Sequence, residues 1–250
     1  MKLNIDNTFF SELSADTIKE NFTRQVENAC YSLATPIQTK APKLIHINSE
    51  VAKQVGFTVE DLNSEKFNNL ITGNFIYPST LPYAMCYGGH QFGNWAGQLG
   101  DGRAINLFQV LTDRSLTLQL KGAGKTPYSR TADGLAVLRS SIREYLCAEA
   151  IHHLEIPTTR SLSLALTGDQ VMRDVLYNGN PAYEPGAIVC RVAESCIRFG
   201  NFQIFASRND KKNLKALLNY TIRHHFSHLE ENNKSHYAML FQEIVNATVN

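Results

Sequence analysis

The stretch YGGHQFGNWAGQLGDGRA, Tyr87 to Ala104, decides how the rest of the chain is read. It holds six of the chain's 15 glycines: Gly88, Gly89, Gly93, Gly97, Gly100 and Gly102. Glycine at that density gives up helix and strand stability in return for backbone freedom and close approach to another group. His90, Gln91, Asn94, Gln98, Asp101 and Arg103 stand between the glycines. A flexible linker favours Ser and Pro and seldom carries Trp, Phe, His and Arg so closely spaced, so the stretch reads as a shaped polar binding loop.

Outward from the loop, AINLFQV (104–110) reads as a strand, Thr112, Asp113 and Arg114 as a turn, and SLTLQL (115–120) as a half-buried strand of alternating polarity. This hairpin ends at Lys121. A second glycine-containing segment, GAGKTPYSRTADG (122–134), follows, and Asp133 is placed to cap a helix over 134–153. Leu135, Leu138, Ile142, Tyr145 and Leu146 form the apolar face expected of that helix. Ser161–Leu166 and Gln170–Leu176 read as two strands around a Gly168–Asp169 turn, and the turn-rich segment from Tyr177 to Pro185 is the best internal boundary. Ala187–Val192 is a strand, and 212–229 and 236–249 are helical.

Before the loop, Leu44–Ile47 suggests a strand and 50–55 a helix capped by Ser49 and stopped by Gly56, with 57–82 irregular. The order is α+β, with strands and one long helix first and helices after.

The composition sets limits. The 250 residues are 43% hydrophobic and 19% charged, and the net charge of +1 argues against broad nucleic-acid or membrane-surface electrostatics. Five cysteines, at 30, 86, 147, 190 and 196, include no CxxC pair and favour free thiols in a reducing compartment. MKLNIDNTFF lacks the apolar run of a signal peptide and no stretch has the length of a membrane span. The expected location is cytoplasmic.

Lys121, at a strand end after a Gly-rich entry and before a long helix, is placed to meet a nucleotide phosphate while glycine amides approach the oxygens. Its carboxylate partner would be Glu144 or Glu149, and helical periodicity does not choose between them. GAGKT (122–126) fails the Walker pattern because position 119 is Gln, and GQLGDGR (97–103) is not the kinase G-x-G-x-x-G, so motif strength alone gives a weak nucleotide signal. His224 and His228 stand one turn apart with no H-E-x-x-H glutamate and no nearby cysteine, which favours a solvated helix face over a metal site. Arg191 and Arg198 read either as salt-bridging residues or as phosphate contacts.

Three segments, CYGGHQFGNWAGQLGDGRAI (86–105), LQLKGAGKTPYSRTADGLAVLRSSIREYL (118–146) and IVCRVAESCIRFGNFQIFASR (188–208), closely resemble the selenoprotein O family of kinase-like protein adenylyltransferases. The resemblance implies a protein-kinase-like fold. Residues 1–180 would form an N-terminal extension and nucleotide-binding lobe, and 181–250 the beginning of an incomplete helical lobe. It implies ATP and a divalent metal, Mg or Mn, and transfer of AMP to Ser, Thr or Tyr hydroxyls of protein substrates. By matching motif, Gly100, Gly102 and Arg103 would contact the nucleotide, Lys121 would be the strand lysine and Glu144 its helix partner. Asp133 and Gly134 would line the pocket, and Arg191 and Arg198 would hold phosphates.

The family's catalytic loop, resembling H-G-V-x-N-T-D-N, and its later metal-binding Asp do not occur in these 250 residues. The general base is expected beyond Asn250, no metal ligand is expected within the chain, and the chain is expected to be a truncated, inactive fragment. A catalytically dead ATP-binding module is the alternative, and a phosphorylating kinase the weaker one.

Overall fold

A computed structural model describes residues 1–229 and 235–249. The chain begins with β1 (Ile5–Asp6), α1 (Thr8–Glu12), β2 (Tyr31–Leu33), β3 (Lys43–Ile47), α2 (Ser49–Val55), α3 (Val59–Leu62) and α4 (Glu65–Thr72). It continues with β4 (Tyr83–Met85), β5 (Gly88–Gln91), β6 (Asn94–Gln98), β7 (Ala104–Leu111), β8 (Ser115–Lys121) and α5 (Leu138–His153). The long strands β9 (Arg160–Arg173) and β10 (Ala182–Ala193) precede α6 (Phe199–Ser207), α7 (Lys211–His225) and α8 (His236–Val249).

The architecture is α+β, built on an antiparallel sheet of order β2-β4-β7-β8-β10-β9-β3, with β1 added beside β7. Alternation along β10 divides its side chains between two cores. Ile188 and Cys190 join the larger core with Phe67, Leu70 and Ile71 of α4. Ala187 and Val189 meet Leu164 and Tyr145 of α5 in a smaller one. Val189 is the register partner of Lys121, which therefore shares the α5 side of the sheet.

The hairpin β7–β8 follows the sequence reading, but β8 is covered on both faces: Thr117 and Gln119 are buried like Leu116, Leu118 and Leu120, which alternate with them. The segment 57–82 is not irregular. Thr58 and Asp61 form a reciprocal capping box over α3, and Ser64 caps α4 through the Phe67 N–H. Asn48, not Ser49, caps α2 by accepting from Glu50 and Val51 N–H, and Gly56 ends that helix at φ +95°.

Two expectations around the long helix are corrected. Helix α5 starts at Leu138 with Val137 at its N-cap, so Asp133 does not cap it and accepts instead from the Leu135 N–H at 3.0 Å. Its buried residues are Ser141, Tyr145 and Ala148, while Ile142 and Leu146 face outward; small side chains let the helix lie close to the sheet. Residues 160–173 form one strand, not two. Gly168 is needed there because a Cβ would come within 2.6 Å of the Ala41 backbone nitrogen. The turn-rich segment joins β9 to β10, and β10 pairs with both β9 and β8. The expected boundary between residues 180 and 181 therefore falls inside a hairpin of the main sheet. The helical segment begins at Phe199, with α6 unforeseen in the sequence. No helix among the described residues is long and apolar enough to cross a membrane.

Candidate functional site: a cationic cleft on a glycine-built loop

The Gly-rich stretch folds as a separate hairpin, β5–β6, followed by a tight loop into β7. At the hairpin tip Phe92 and Gly93 both take positive φ, +50° and +79°, and the Phe92 side chain is fully exposed. In the loop that follows, the two glycines of GDG allow a close approach. A Cβ on Gly100, at φ +65°, would overlap the Tyr128 ring, and one on Gly102 would lie 2.8 Å from the Tyr128 carbonyl oxygen. The loop thus lies directly on Tyr128–Ser129, with Ser129 Oγ donating to the Gly102 carbonyl. Thr126 Oγ1 donates to the Asp101 carbonyl at 2.7 Å.

Asp101 is turned inward. Its Oδ2 accepts from the Met85 N–H at 3.1 Å. Burial pushes its pKa above the ordinary carboxylate value, an effect partly offset by the charge of Arg198 and by the Met85 hydrogen bond.

A cleft of about 680 Å³ opens over this loop, lined by Gly100, Gly102, Arg103, Asp133 and Gly134 together with Tyr87, Arg130 and Arg173. That volume falls within the range of small-molecule sites, about 300–1,000 Å³. Asp133 is gripped in a two-pronged pair by Arg173, at 2.6 and 2.9 Å. Burial would raise its pKa, but the Arg173 hydrogen bonds, the Leu135 N–H and the Arg173 charge together outweigh burial and hold it below the ordinary value. Arg130, itself at φ +54°, reaches Gln91 of the hairpin at 3.3 Å.

A smaller cleft of about 360 Å³ adjoins through Arg103 and is lined by Lys121, Arg143 and Glu144. Here the choice left open by periodicity is settled. Glu144 Oε2 takes the Lys121 ammonium, and its Oε1 takes Arg191 Nη1 at 2.8 Å. Glu149 is committed elsewhere, to Arg160 at 3.0 Å, to Asn48 at 2.8 Å and to the Ser161 N–H at 2.7 Å. Burial alone would raise the Glu144 pKa, but the lysine hydrogen bond and the Arg191 charge carry it below 4.5. For Lys121, burial dominates over the Glu144 hydrogen bond and lowers its pKa from 10.5.

Of the sequence-derived candidates, Gly100, Gly102, Arg103, Asp133 and Gly134 line one cleft, and Lys121, Glu144 and Arg191 form a contiguous ionic cluster beside it. Arg198 stands apart. Its guanidinium lies 5.2 Å from the Tyr87 ring centroid, in cation–π range, and it lines neither cleft. Sequence reading missed Asp101, Tyr128, Arg130 and Arg173, as well as Asn106 and Gln119 in the strands behind the cleft. The sequence offered little signal for the last two, since polar residues alternate along β8 and Gln109 also interrupts β7.

The histidines are held by carboxylates, His224 by Glu12 at 2.9 Å and His228 by Glu243 at 3.5 Å. Among the described residues no three His, Cys, Asp or Glu side chains converge as a metal site. The residues described do not fit a divalent ion by themselves. What the arrangement offers is a set of donor-rich cations around a space that glycine backbone can approach, the chemistry of a polyanion site.

The sequence that builds this site has its match among known families. Residues 16–250 match the family described as Protein adenylyltransferase SelO, and the chain belongs to that family. It is 60% identical to the Protein nucleotidyltransferase YdiU of Flavobacterium johnsoniae over 98% of this chain and 47% of that protein. It is 59% identical to the protein of the same name from Rhodopirellula baltica, over 91% of this chain and 42% of that one. The chain spans about half the length of the curated relatives it matches.

Proposed function

We propose that these 250 residues are the nucleotide-binding part of an ATP-dependent protein adenylyltransferase, which moves AMP from ATP to Ser, Thr or Tyr hydroxyls of protein substrates. The observation that carries the reading is the Lys121–Glu144–Arg191 cluster set beside a cleft floored by Gly100 and Gly102. Lys121 and Arg191 are held by one carboxylate with donors to spare, so they meet a triphosphate without first being ordered by it. Arg103, shared by the two clefts, is the natural link between the phosphates and the rest of the nucleotide. Gly134 and the Arg173-bound Asp133 shape the opposite wall, and Arg198 is assigned a supporting phosphate contact.

A kinase-like nucleotide-binding lobe is supported by the order of glycine hairpin, strand lysine and helix glutamate. That lobe would run through β10 to Ala193, with the helical lobe starting at α6. Mg or Mn would be the divalent ion of the whole reaction, and the described residues offer no site for it by themselves. A cytoplasmic setting agrees with five free cysteines, and the net charge of +1 gives no reason to invoke nucleic acid or membrane.

Because the family's catalytic-loop sequence is not among these residues, the chain alone is expected to bind ATP yet transfer almost none of it. Incubation with ATP labelled at the α- or γ-phosphate, Mg or Mn and a generic acceptor protein checks this. Background label from both is the expected result. Strong α-label lost in Lys121→Ala contradicts the inactivity, and γ-label on the acceptor contradicts adenylyl transfer.

A further inference from the structure

Behind the ionic cluster runs a row of polar side chains for which the sheet has no structural need. Asn106, Gln119 and Arg191 are successive register partners across β7, β8 and β10. Register partners point to the same face, and Lys121, two residues beyond Gln119, shares it. Asn106 and Gln119 are 0% and 1% exposed, positions where a strand interior calls for Leu or Val.

The hydrogen bonds of this row run in one direction. Asp101 Oδ2 accepts from Asn106 Nδ2 at 3.5 Å, and the same amide group donates to the Tyr83 carbonyl at 3.3 Å. Asn106 Oδ1 accepts from Gln119 Nε2 at 2.9 Å, and Gln119 Oε1 accepts from Arg191 Nη2. Arg191 Nη1 then donates to Glu144, which also holds Lys121. Acceptors stand at the first end, and a guanidinium, which only donates, stands at the other. Turning either amide over sets donor against donor or oxygen against oxygen, so each amide has one consistent orientation.

We propose that Gln119 is a positioning residue of the nucleotide site: anchored by Asn106, it fixes the Arg191 guanidinium and through it Glu144 and Lys121, tying that cluster to Asp101 in the Gly100–Gly102 loop. Without Gln119 the guanidinium has one anchor where it had two and is free to rotate away from Glu144 and Lys121. The importance of Lys121 and Arg191 rests on the nucleotide reading above; the mechanical link between Gln119 and Lys121 does not.

The test reads Lys121 directly, through the pH profile of its acetylation by trace acetic anhydride, measured by peptide mass spectrometry on the whole chain. The Arg191 charge helps hold the Lys121 pKa down, so Arg191→Ala is expected to move the profile to higher pH. Gln119→Met, near the same volume, is expected to move it the same way by about half a pH unit, a loss of about three-fold in labelling at a fixed pH below the midpoint. In the Arg191→Ala background Gln119→Met should then add almost nothing. Asn106→Ser, which frees the Gln119 amide to turn, should give a smaller shift in the same direction. Leu118→Ala, on the opposite face of β8, should lower stability and leave the profile alone.

An unchanged profile in Gln119→Met, or a shift that adds in full to that of Arg191→Ala, overturns the inference. In calorimetric titration with ATP, Gln119→Met should weaken binding about ten-fold, a change of about 1.4 kcal/mol. A wild-type chain that takes no ATP but shows the labelling shifts overturns the nucleotide reading and upholds the positioning role.

Discussion

Replacement of Lys121 by methionine is expected to weaken ATP binding by about ten- to a hundred-fold, the equivalent of one charge-assisted hydrogen bond to phosphate at about 1.5–3 kcal/mol. The lysine sits in the smaller cleft with its ammonium on Glu144, and burial has already lowered its pKa. Methionine keeps the packing of the alkyl stem and removes only the cation. Glu144 is not left stranded by the change, because Arg191 still donates to its other oxygen at 2.8 Å. The loss should therefore appear in affinity and hardly at all in thermal stability. Calorimetric titration of both proteins at one ionic strength measures it, and equal affinities would remove Lys121 from the site.

Gly134→Ala should have the largest effect on stability. Gly134 is at φ +75°, and an added Cβ would overlap the Gly124 carbonyl and come within 2.5 Å of the Lys125 nitrogen. Both neighbours are backbone, so no side chain can swing aside. The two segments are also pinned together, since the Gly124 N–H donates to the Gly134 carbonyl at 3.1 Å. Strain and displacement together should cost about 3 kcal/mol or more. For a chain of this size that lowers Tm by about 6–12 °C. Gly93→Ala is the matched control: its φ is +79°, but a Cβ there meets nothing within 4 Å. Only the left-handed backbone penalty of about 1–2 kcal/mol remains. Urea unfolding of the two variants should separate them clearly, and equal losses would mean that segments 122–125 and 133–134 are not in contact.

Much of this arrangement was legible in local sequence because local chemistry sets it. The hairpin from Ala104 to Lys121 follows from alternation and a polar turn, and the glycines of LGDGR announce a close approach without saying to what. That partner is Tyr128, 28 residues beyond Gly100, and no periodicity reports a contact made across two segments. Helical periodicity puts Glu149 within the apolar stripe and Glu144 off it, yet does not choose the Lys121 partner, because the apolar stripe does not mark the whole packed face of α5. Ser141 and Ala148 mark the rest, through their small size. Asp133 carried a sound capping signal that lost to an ion pair with Arg173, a residue 40 positions away. The segment 57–82 was the reverse case: Thr58–Asp61 and the Phe67, Leu70, Ile71 spacing were readable signals of two short helices. Gly168 resembled a turn residue, yet it serves the close passage of Ala41 beside one continuous strand.

Hydrogen–deuterium exchange of the chain with and without ATP tests the central claim most directly, because it locates the nucleotide without presupposing any residue. ATP at saturating concentration is expected to slow exchange in peptides covering 97–104 and 126–135, with a smaller effect at the end of β8 and none in α7 or α8. Protection confined to the helices after Ala193, or none anywhere with ATP shown to be bound, would contradict a nucleotide site built on the Gly100–Arg103 loop.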